Sequence, residues 1–554
     1  MSWNLACPDW VARLRAGQSL VPDLPLNKSE GDRAVAVFNK LRLADVPLTP
    51  TLAEAGGDWF RDIVRALFGS LDPVTRARVI REVMLLVPKK NSKTTNGALL
   101  MLTALLLNER PRANFILTGP VQDSADTAFQ AAAGAIALDP VLDKKLHVRE
   151  HLKKILHRET KAELEIMTFD PAVLTGQKVS GGVLIDELHV VAKMSKAASA
   201  IRQLRGGMLP FPEAFLAFIT TQSEDAPAGV FKAELDKARA IRDGRQDGAM
   251  LPVLYEFPQD MQRDPEQWAN AENWHMVTPN AGRSITIARL KEEAATAKAT
   301  SAAEFRAWAS QHLDVEIGVA LRGDGWAGSE FWAAHADEEL ALESLLQRCE
   351  VVTVGLDGGG LDDMFGLAVL GRETTTGRWL HWGHAWIHPI ALERRKAEAP
   401  RYADFEKDGD LTICDRVGQD TEEVSDIVAQ INASGLLDRV GVDPVGIGSV
   451  VDALHDKKLT DEQIVGISQG WKMVGAVKTA ERKVAAGDLV HGGSPLMAWC
   501  VGNARTEIKG NALVVTKAVS GSGKIDPLMA LFNAVALMSL NPQPRRKKYQ
   551  MFFT

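Results

Sequence analysis

Short, uninterrupted apolar runs alternate with helical stretches between about residue 80 and residue 325. Four of these runs are VMLLV (83–87), NFILTG (114–119), GGVLID (181–186) and FLAFIT (215–220). Such runs are typical of strands in a parallel sheet, because helices cover both faces of the sheet and leave no polar side. The segment DWFRDIVRALFG (58–69) has apolar residues at helical spacing and predicts a helix that stops at Gly69.

The pattern changes after a charged segment, WAAHADEELALESLLQRCE (332–350), which predicts a helix and a linker. Three apolar stretches with short turns then predict successive strands at 351–357, 365–373 and 379–387. A further strand at 438–443, followed by helix-forming sequence, predicts a mixed sheet. We therefore expect two α/β domains, residues 1–330 and 351–554, joined by a linker at 331–350.

Composition narrows the class of protein. The 554 residues favour two or more domains, and a content of 46% hydrophobic and 24% charged residues is ordinary for a globular chain. No apolar run is long enough to predict a membrane span, and the N-terminus lacks a signal-peptide layout. The four cysteines form no CxxC pair, which argues against a zinc site and fits a reducing cytoplasm.

Charge adds one local feature. The net charge of −7 does not suggest a protein that coats DNA through bulk charge. The C-terminal tail PRRKK (544–548) is nevertheless basic, and it fits either a solvated end or a clamp on DNA.

A first candidate site lies in LLVPKKNSKT (85–94), which follows an apolar strand and precedes a helical run. This is the context of a phosphate-binding loop, in which backbone amides hold phosphates, Lys93 reaches the β- and γ-oxygens and Thr94 binds magnesium. Val87 and Ser92 occupy both glycine positions of the pattern GxxxxGK[ST], so the segment alone also fits a basic surface turn. The residues predicted to bind nucleotide here are Lys89, Lys90, Asn91, Ser92, Lys93 and Thr94.

Two later motifs strengthen the ATPase interpretation. The strand in GGVLIDELH (181–189) ends in Asp186, which would hold magnesium, and Glu187, which would polarise the attacking water. The strand in FLAFITTQSED (215–225) ends in Thr220, Thr221 and Gln222, which could sense the γ-phosphate. Each motif alone also fits a solvated strand end, but three such motifs in this order favour a nucleotide site.

A second candidate site is acidic. Asp357 ends a strand before three glycines, Asp443 ends another before a Pro- and Gly-rich turn, and Asp526 opens an apolar helical run. Each could simply shape a turn or cap a helix. Together they predict a two-metal nuclease, because magnesium and manganese prefer carboxylate oxygens and two such ions can activate water and stabilise the leaving oxygen.

The order of these motifs resembles the terminase large subunits of tailed phages, over roughly residues 50–540. The resemblance implies an N-terminal ASCE-type P-loop ATPase with a parallel sheet and a C-terminal RNase H-like nuclease with a mixed sheet. It implies that Lys89 or Lys90 contacts the γ-phosphate. It also implies that helix 58–69 lies on the adenine side of the nucleotide, with the family's usual Gln replaced around Phe60–Arg61. A further implication is an arginine that acts in trans, from a neighbouring subunit. Arg202 and Arg205 are candidates for that arginine.

In the second domain the resemblance matches Asp357, Asp443 and Asp526 to the three metal ligands. It makes Asp363 a possible fourth ligand and places QGWKM (469–473) before a DNA-proximal helix. Lys517 and Lys524 could meet the DNA backbone near the metals, or could be simply solvated.

The implied function is a viral DNA-packaging motor that moves double-stranded DNA into a procapsid and cuts concatemers, with ATP, one Mg²⁺ at the nucleotide and two Mg²⁺ or Mn²⁺ in the nuclease. The implied partners are DNA, a small terminase subunit, the portal and further copies in a ring, in the host cytoplasm and outside the mature virion. The alternatives are a translocase or helicase with a non-catalytic C-terminal domain, a metal-dependent recombinase or nuclease with a structural N-terminal domain, and a non-enzymatic capsid assembly protein.

Overall fold

The computed structural model describes residues 3–72, 74–224, 226–316, 325–396, 398–443, 448–509, 512–515 and 524–544. By packing, the chain divides into two compact units, residues 1–317 and 318–554. The segment 331–350, for which we expected a linker, belongs to the second unit by this criterion. Every helix of the described ranges is too short or too polar to cross a membrane. All four cysteines are buried, and none of them forms a disulfide.

The first unit contains one large sheet covered by helices. Its strands are β1 (Glu82–Leu86), β2 (Asn114–Gly119), β3 (Leu146–Arg149), β4 (Lys154–His157), β5 (Glu163–Thr168), β6 (Gly182–Asp186), β7 (Phe215–Thr220) and β8 (Met250–Leu254). Its helices are α1 (Trp10–Arg15), α2 (Lys28–Lys40), α3 (Leu52–Ala55), α4 (Asp58–Gly69), α5 (Lys93–Leu107), α6 (Gln122–Ala137), α7 (Pro140–Lys145), α8 (Pro171–Leu174), α9 (Leu188–Val191), α10 (Ala197–Met208), α11 (Gly229–Arg242), α12 (Gln259–Arg263), α13 (Pro265–Ala269), α14 (Ile287–Thr300) and α15 (Ala302–Leu313). Short 3₁₀ turns lie at Glu150–Leu152 and Trp274–Met276.

The strand order in this sheet is β3-β4-β5-β2-β6-β7-β1-β8. All neighbours from β5 to β8 are parallel, which confirms the predicted parallel sheet, and β3 and β4 extend it as antiparallel strands. The strand β7 lies between β1 and β6, so the three motif-bearing strands are neighbours. Because they are parallel, their carboxyl ends meet at one edge of the sheet.

The helix that follows β1 packs closely on the face of the sheet, against β6 and β7. The helix α5 is apolar on nearly all sides and is buried along most of its length, as expected for a helix packed between a sheet and other helices. A Cβ at Gly97 would lie 2.9 Å from Ile219 Cδ1 and 3.1 Å from Leu184 Cδ1, so the glycine lets α5 pack closely on β6 and β7 without moving these side chains.

The second unit contains a mixed sheet. Its strands are β9 (Cys349–Gly358), β10 (Met364–Glu373), β11 (Trp379–Ile387), β12 (Leu411–Ile413), β13 (Leu437–Val442), β14 (Ile464–Gly466) and β15 (Leu489–His491), with a separate hairpin of β16 (Thr506–Lys509) and β17 (Ala512–Val515). Its helices are α16 (Ser329–Trp332), α17 (Leu342–Arg348), α18 (Pro389–Arg394), α19 (Ala399–Lys407), α20 (Gln419–Ala433), α21 (Gly448–Asp456), α22 (Val474–Ala485), α23 (Pro495–Asn503) and α24 (Asp526–Met538). Short 3₁₀ turns lie at Ala333–His335, Asp461–Gln463 and Gly470–Met473.

The mixed sheet has the order β12-β11-β10-β9-β13-β14, and β15 also pairs with β11. The three hairpin-linked strands β9, β10 and β11 are antiparallel, whereas β13 runs parallel to β9 and β14 parallel to β13. This arrangement confirms the predicted mixed sheet.

The prediction of one helix over 332–350 is wrong. A short helix and a 3₁₀ turn end at His335, and the amide of Asp337 then donates to the carbonyl of His491, 2.8 Å away. A new helix begins at Leu342, and Cys349 already pairs in the sheet with Glu373. The charged residues therefore flank a strand-like contact that local helical propensity does not reveal.

Candidate motor and nuclease sites

The loop between β1 and α5 adopts a phosphate-loop shape without its glycines. Lys90 and Ser92 both have left-handed backbone angles, with φ values of 70° and 55°. Ser92 occupies the second glycine position and is the residue immediately before α5. Glycine adopts this conformation at no steric cost, whereas serine adopts it only when surrounding contacts hold it there.

Those contacts come from distant parts of the chain. The buried Asn91 side chain donates to the carbonyl of Pro88 at 3.0 Å and accepts from the amide of Asn280 at 3.0 Å. The Ser284 hydroxyl donates to the carbonyl of Lys90, and the amide of Lys89 donates to the carbonyl of Gln311. Sequence reasoning missed this brace, because its residues lie about two hundred positions from the loop and follow no local motif.

A first prediction follows from Ser92. We expect Ser92→Gly to retain nucleotide binding and to stabilise the chain by about 1 kcal/mol, because glycine removes the cost of the left-handed conformation. Ser92→Val should destabilise the loop, since a β-branched residue tolerates that conformation poorly. Thermal unfolding with and without ATP measures both effects, and equal losses in the two variants would contradict the conformational argument.

The predicted magnesium groups of the motor lie in contact. The Thr94 hydroxyl, in the first turn of α5, donates to Asp186 Oδ2 at 2.5 Å, across 92 positions of sequence. Asp186 ends β6 and is 2% exposed, and burial raises the pKa of its carboxyl although Lys93 and Thr94 oppose that shift. A divalent cation at this pair would offset the cost of burying the carboxylate, so the donor set fits Mg²⁺.

The other residues predicted for the nucleotide site directly follow the neighbouring strands β6 and β7. Glu187 directly follows Asp186 and has a left-handed φ of 52°, an uncommon conformation that directs the chain sharply out of the strand. Thr221 follows β7 and is fully buried, and the structure records no hydrogen bond for its hydroxyl within the described ranges. The backbone amide of Gln222 donates a hydrogen bond to the Asp314 carboxylate at 2.8 Å, which holds Gln222 in place.

A buried histidine connects two of these strands. His189 Nδ1 lies 2.9 Å from the Thr220 hydroxyl, and burial together with nearby lysines lowers the pKa of His189 from 6.5 to about 3. The ring is therefore neutral at physiological pH, and its contact with the Thr220 hydroxyl links the residues that follow β6 to the end of β7.

The His189 pKa gives a second prediction, for stability against pH. The pKa of His189 is lower in the folded chain than in the unfolded chain. The contribution of His189 to the free energy of unfolding is therefore fully present above about pH 6.5 and is lost as the pH falls towards 3, by up to about 1.4 kcal/mol per pH unit. We expect His189→Gln to flatten this slope in thermal unfolding between these limits. The same substitution at the exposed His147 should leave the slope unchanged, and an unchanged slope in His189→Gln would contradict the assignment.

Other residues suggested for the motor have structural contacts instead. Arg61 donates to Asn39, Asp58 and two backbone carbonyls, and Phe60 is buried, so neither is presented to a base. Arg205 binds Glu82 and Glu234 of its own chain through both sides of its guanidinium. Of the two arginines suggested to act in trans, the exposed Arg202 therefore remains.

In the second unit, strand register aligns two of the predicted acids. Val442 of β13 pairs with Leu356 of β9, and the strands are parallel, so Asp443 and Asp357 follow at the same level of neighbouring strands. Asp357 is 2% exposed, whereas Asp443 is partly exposed.

Glycines bring the third acid to the same place. A side chain at Gly355 would lie 1.9 Å from the carbonyl of Ala530, and one at Gly366 would lie 2.7 Å from Pro527. The helix α24 thus packs directly on the backbone of β9 and β10. Its first residue, Asp526, is completely buried, with Oδ1 only 3.5 Å from the position of a Cβ at Gly358, next to Asp357.

The helix is also fixed by polar contacts to the strand that carries Asp357. Asn533 of α24 donates to the carbonyl of Leu356 at 2.7 Å, and the Thr353 hydroxyl donates to the carbonyl of Ala534 at 3.0 Å. Both carboxylates are buried, and a bound cation lowers the cost of burying their charge. The donor set of Asp357 and Asp526 therefore fits a hard divalent ion.

Asp363, the fourth predicted metal ligand, has a different partner in the structure. Asp363 forms an ion pair with Lys524, which is 8% exposed and is not a solvated lysine. Across the described residues, no three His, Cys, Asp or Glu side chains meet at metal-ligand spacing in this conformation. Lys517 and the basic residues 545–548 of the tail lie outside the described residues, as does the segment 444–447 that follows Asp443.

The two units define a class of protein: a P-loop ATPase followed by a nuclease with a mixed, RNase H-like sheet. Residues 58–237 match the family model "Terminase large subunit, ATPase domain", and residues 254–540 match "Terminase large subunit, endonuclease domain". The second match alone covers more than half of the chain, and the chain belongs to the terminase large-subunit family. An endonuclease domain also disfavours a binding-only C-terminal domain.

Individual relatives are more distant. The chain is 24% identical over 281 residues to protein YmfN of Escherichia coli strain K12, across 49% of this chain and 60% of that protein. The crystal structure of the HK97 bacteriophage large terminase aligns with 92% of this chain and 99% of its own, at 20% identity and a TM-score of 0.45. The ADP complex of a large terminase from a thermophilic bacteriophage aligns with 84% of this chain and 96% of its own, at 11% identity and a TM-score of 0.29.

Proposed function

We propose that this chain is the motor and nuclease of a phage DNA-packaging machine, which hydrolyses ATP to move double-stranded DNA into a procapsid and cuts concatemeric DNA. The observation that carries the proposal is the presence in one chain of two acidic constellations, each assembled from distant segments. The contact between Thr94 and Asp186 supports nucleotide hydrolysis, and the neighbouring Asp357 and Asp526 support phosphodiester hydrolysis.

In the motor, the amides of the loop before α5 would hold the phosphates of ATP, and Lys93 would contact the β- and γ-oxygens. Thr94 and Asp186 would hold one Mg²⁺, which neutralises charge on the phosphates when bound. Glu187 would orient water and accept its proton, and Thr221 would sense the γ-phosphate. Lys89 or Lys90 would supply a further positive charge to the γ-phosphate, and Asn91 and Ser92 would keep the loop in its binding shape.

In the nuclease, Asp357, Asp443 and Asp526 would hold two divalent ions, Mg²⁺ or Mn²⁺, with Asp363 as a further candidate ligand. Bound ions of this kind activate water and stabilise the leaving oxygen of a phosphodiester. The protein would contribute by holding Asp357 on β9, Asp443 directly after β13 and Asp526 on α24 at neighbouring element ends, where bound ions would complete the ligand set.

The partners we propose are double-stranded DNA, a small terminase subunit and the portal of a procapsid, on which further copies of this chain would form a ring. The site of action would be the host cytoplasm, and the chain would not remain in the mature virion. The domain assignment we propose gives the motor to residues 1–330 and the nuclease to residues 351–554.

The proposal is tested with the purified full-length chain. We expect ATP hydrolysis that DNA stimulates, and cutting of plasmid DNA that requires Mg²⁺ or Mn²⁺ and stops on addition of a chelator. ATP hydrolysis without cutting at any metal concentration would favour a translocase over a packaging nuclease. Cutting without nucleotide binding would favour a nuclease whose first domain is structural.

A further inference from the structure

One tryptophan differs from all others in the chain. Trp471, in the 3₁₀ turn Gly470–Met473, is 67% exposed, whereas the other twelve tryptophans are buried or partly buried. Exposing a large indole to water forgoes the stabilisation that burial gives, so an exposed tryptophan on a rigid element often marks a binding surface.

The turn that presents Trp471 is anchored on both sides. Met473 is 3% exposed and packs into the core of the second unit, and the hairpin strand β17 packs against the same turn. Gly470 has a φ of 70°, which turns the chain just before the tryptophan. The indole is therefore held outward by a folded support and does not stand at a frayed end.

The turn is also connected to the nuclease carboxylates. The amide of Ile467 donates to the carbonyl of Val442, at the end of the strand that Asp443 follows. Gln469 donates to Asn533 of α24 at 3.2 Å, and Asn533 donates to the carbonyl of Leu356, the residue before Asp357. Trp471 thus lies two residues after Gln469, which two successive hydrogen bonds connect to the residue before Asp357. This position is at the edge of the sheet where β9, β13 and β14 end.

A basic helix face continues from the tryptophan. Lys472 lies 5.6 Å from the centre of the Trp471 ring, and Lys478 and Arg482 are exposed one turn apart on α22. Within the described ranges, Lys478 and Arg482 have no acidic group within 4.0 Å. Positive side chains without acidic partners, next to an exposed aromatic ring, are the two features that proteins use to hold a phosphate backbone and to stack a base.

We propose that Trp471, Lys472 of the same turn and the basic face of α22 (Lys478 and Arg482) form a binding surface for DNA that contains unpaired bases, with one base stacked on the indole. This proposal rests on the nuclease function proposed above. Bases in an intact duplex are covered by their neighbours, so the indole would engage DNA whose strands have separated near the scissile phosphate. Trp471 is then a positioning residue that retains locally opened DNA beside the carboxylates.

The test measures DNA binding in the full-length chain carrying Asp357→Asn, without ATP, so that cleavage does not enter. Two fluorescent probes are compared by anisotropy: an intact duplex, and the same duplex with a short unpaired segment at its centre. We expect Trp471→Ala to weaken binding of the probe with unpaired bases about tenfold and to leave the intact duplex nearly unchanged. Trp471→Phe should retain most of the affinity, because it keeps an aromatic face.

Two further variants separate stacking from charge and from loss of folding. Lys478→Gln combined with Arg482→Gln should weaken both probes alike and reduce the salt dependence of binding by about two charges. Leu540→Ala, another exposed apolar residue, lies beyond the opposite end of α24 and should change neither probe. Equal effects of Trp471→Ala on both probes, or no effect on either, would overturn the proposal. Failure of the nuclease itself would instead appear as the absence of Asp357-dependent cutting, which this binding assay does not require.

Discussion

Asp357→Asn is expected to lose metal-dependent plasmid cleavage, by roughly a thousandfold or more, while ATP hydrolysis stays at the level of the unchanged chain. A bound divalent ion contributes several kcal/mol of charge stabilisation in a transition state, and each 1.36 kcal/mol corresponds to about a factor of ten in rate. Asn keeps the size of Asp but removes the negative charge that the ions need.

The same substitution should not harm the fold. Asp357 is buried, and a buried charge is costly, so replacing its carboxylate with a neutral amide of the same size removes that cost. We therefore expect Asp357→Asn to unfold at the same temperature or higher in the absence of metal. Addition of Mn²⁺ should raise the unfolding temperature of the unchanged chain more than that of the variant, because the variant loses the binding energy of the nuclease site and keeps only that of the Thr94–Asp186 pair.

A matched control uses an acid of the same domain outside the site. The Asp461 carboxyl is 97% exposed, and Asp461→Asn should leave both cleavage and the Mn²⁺ response unchanged. Cleavage that persists in Asp357→Asn would show that another site, or a contaminating nuclease, cuts the DNA.

Glu187→Gln is the second large expected effect, and it should separate the two activities in the opposite direction. Removing a general base costs typically a hundredfold to ten-thousandfold in rate, so ATP hydrolysis should fall by about that factor. Binding of ATP should persist, because Lys93, Thr94 and Asp186 are untouched and the amide of Glu187 can still donate to Asp186, as it does at 2.9 Å.

The measurement pairs single-turnover ATP hydrolysis with equilibrium binding of a fluorescent ATP analogue. Glu159→Gln, an exposed acid in the turn between β4 and β5, serves as the control and should behave as the unchanged chain. A Glu187→Gln chain that hydrolyses ATP at the normal rate would remove Glu187 from the role of base. A chain that loses nucleotide binding as well would indicate that Glu187 supports the structure of the site.

Taken together, the two substitutions distinguish a packaging enzyme from its rivals. Independent loss of cutting in one variant and of hydrolysis in the other requires two separate active sites in one chain. A non-enzymatic assembly protein has neither activity to lose, and a translocase has only one.

Local sequence was sufficient for most elements of the fold. The helix predicted over 58–69 is α4, Asp58–Gly69, and the runs around 114–119 and 215–220 coincide with β2 and β7. These segments have a strong period and clear ends, so packing has little reason to override them. The prediction of one helix over 332–350 failed because the conformation of this segment depends on pairing with His491, more than a hundred positions away.

The candidate sites divide in the same way. Residue types and their local settings along the chain show which chemistry is available. They place a lysine and a threonine after β1, acids after β6, and three aspartates at the ends of elements. Tertiary structure alone decided which of them meet. The parallel register places Asp443 level with Asp357, and glycine contacts let α24 carry Asp526 to Gly358.

Only the folded chain, too, revealed that Asn280 and Gln311 hold the glycine-free loop, that Arg205 and Asp363 are already paired, and that Trp471 faces solvent. These facts are contacts between residues far apart in sequence, or the absence of burial at one position. Periodicity and local motifs report a residue's own element and its immediate neighbours, whereas such contacts are set by how the elements pack, which no short window of sequence contains.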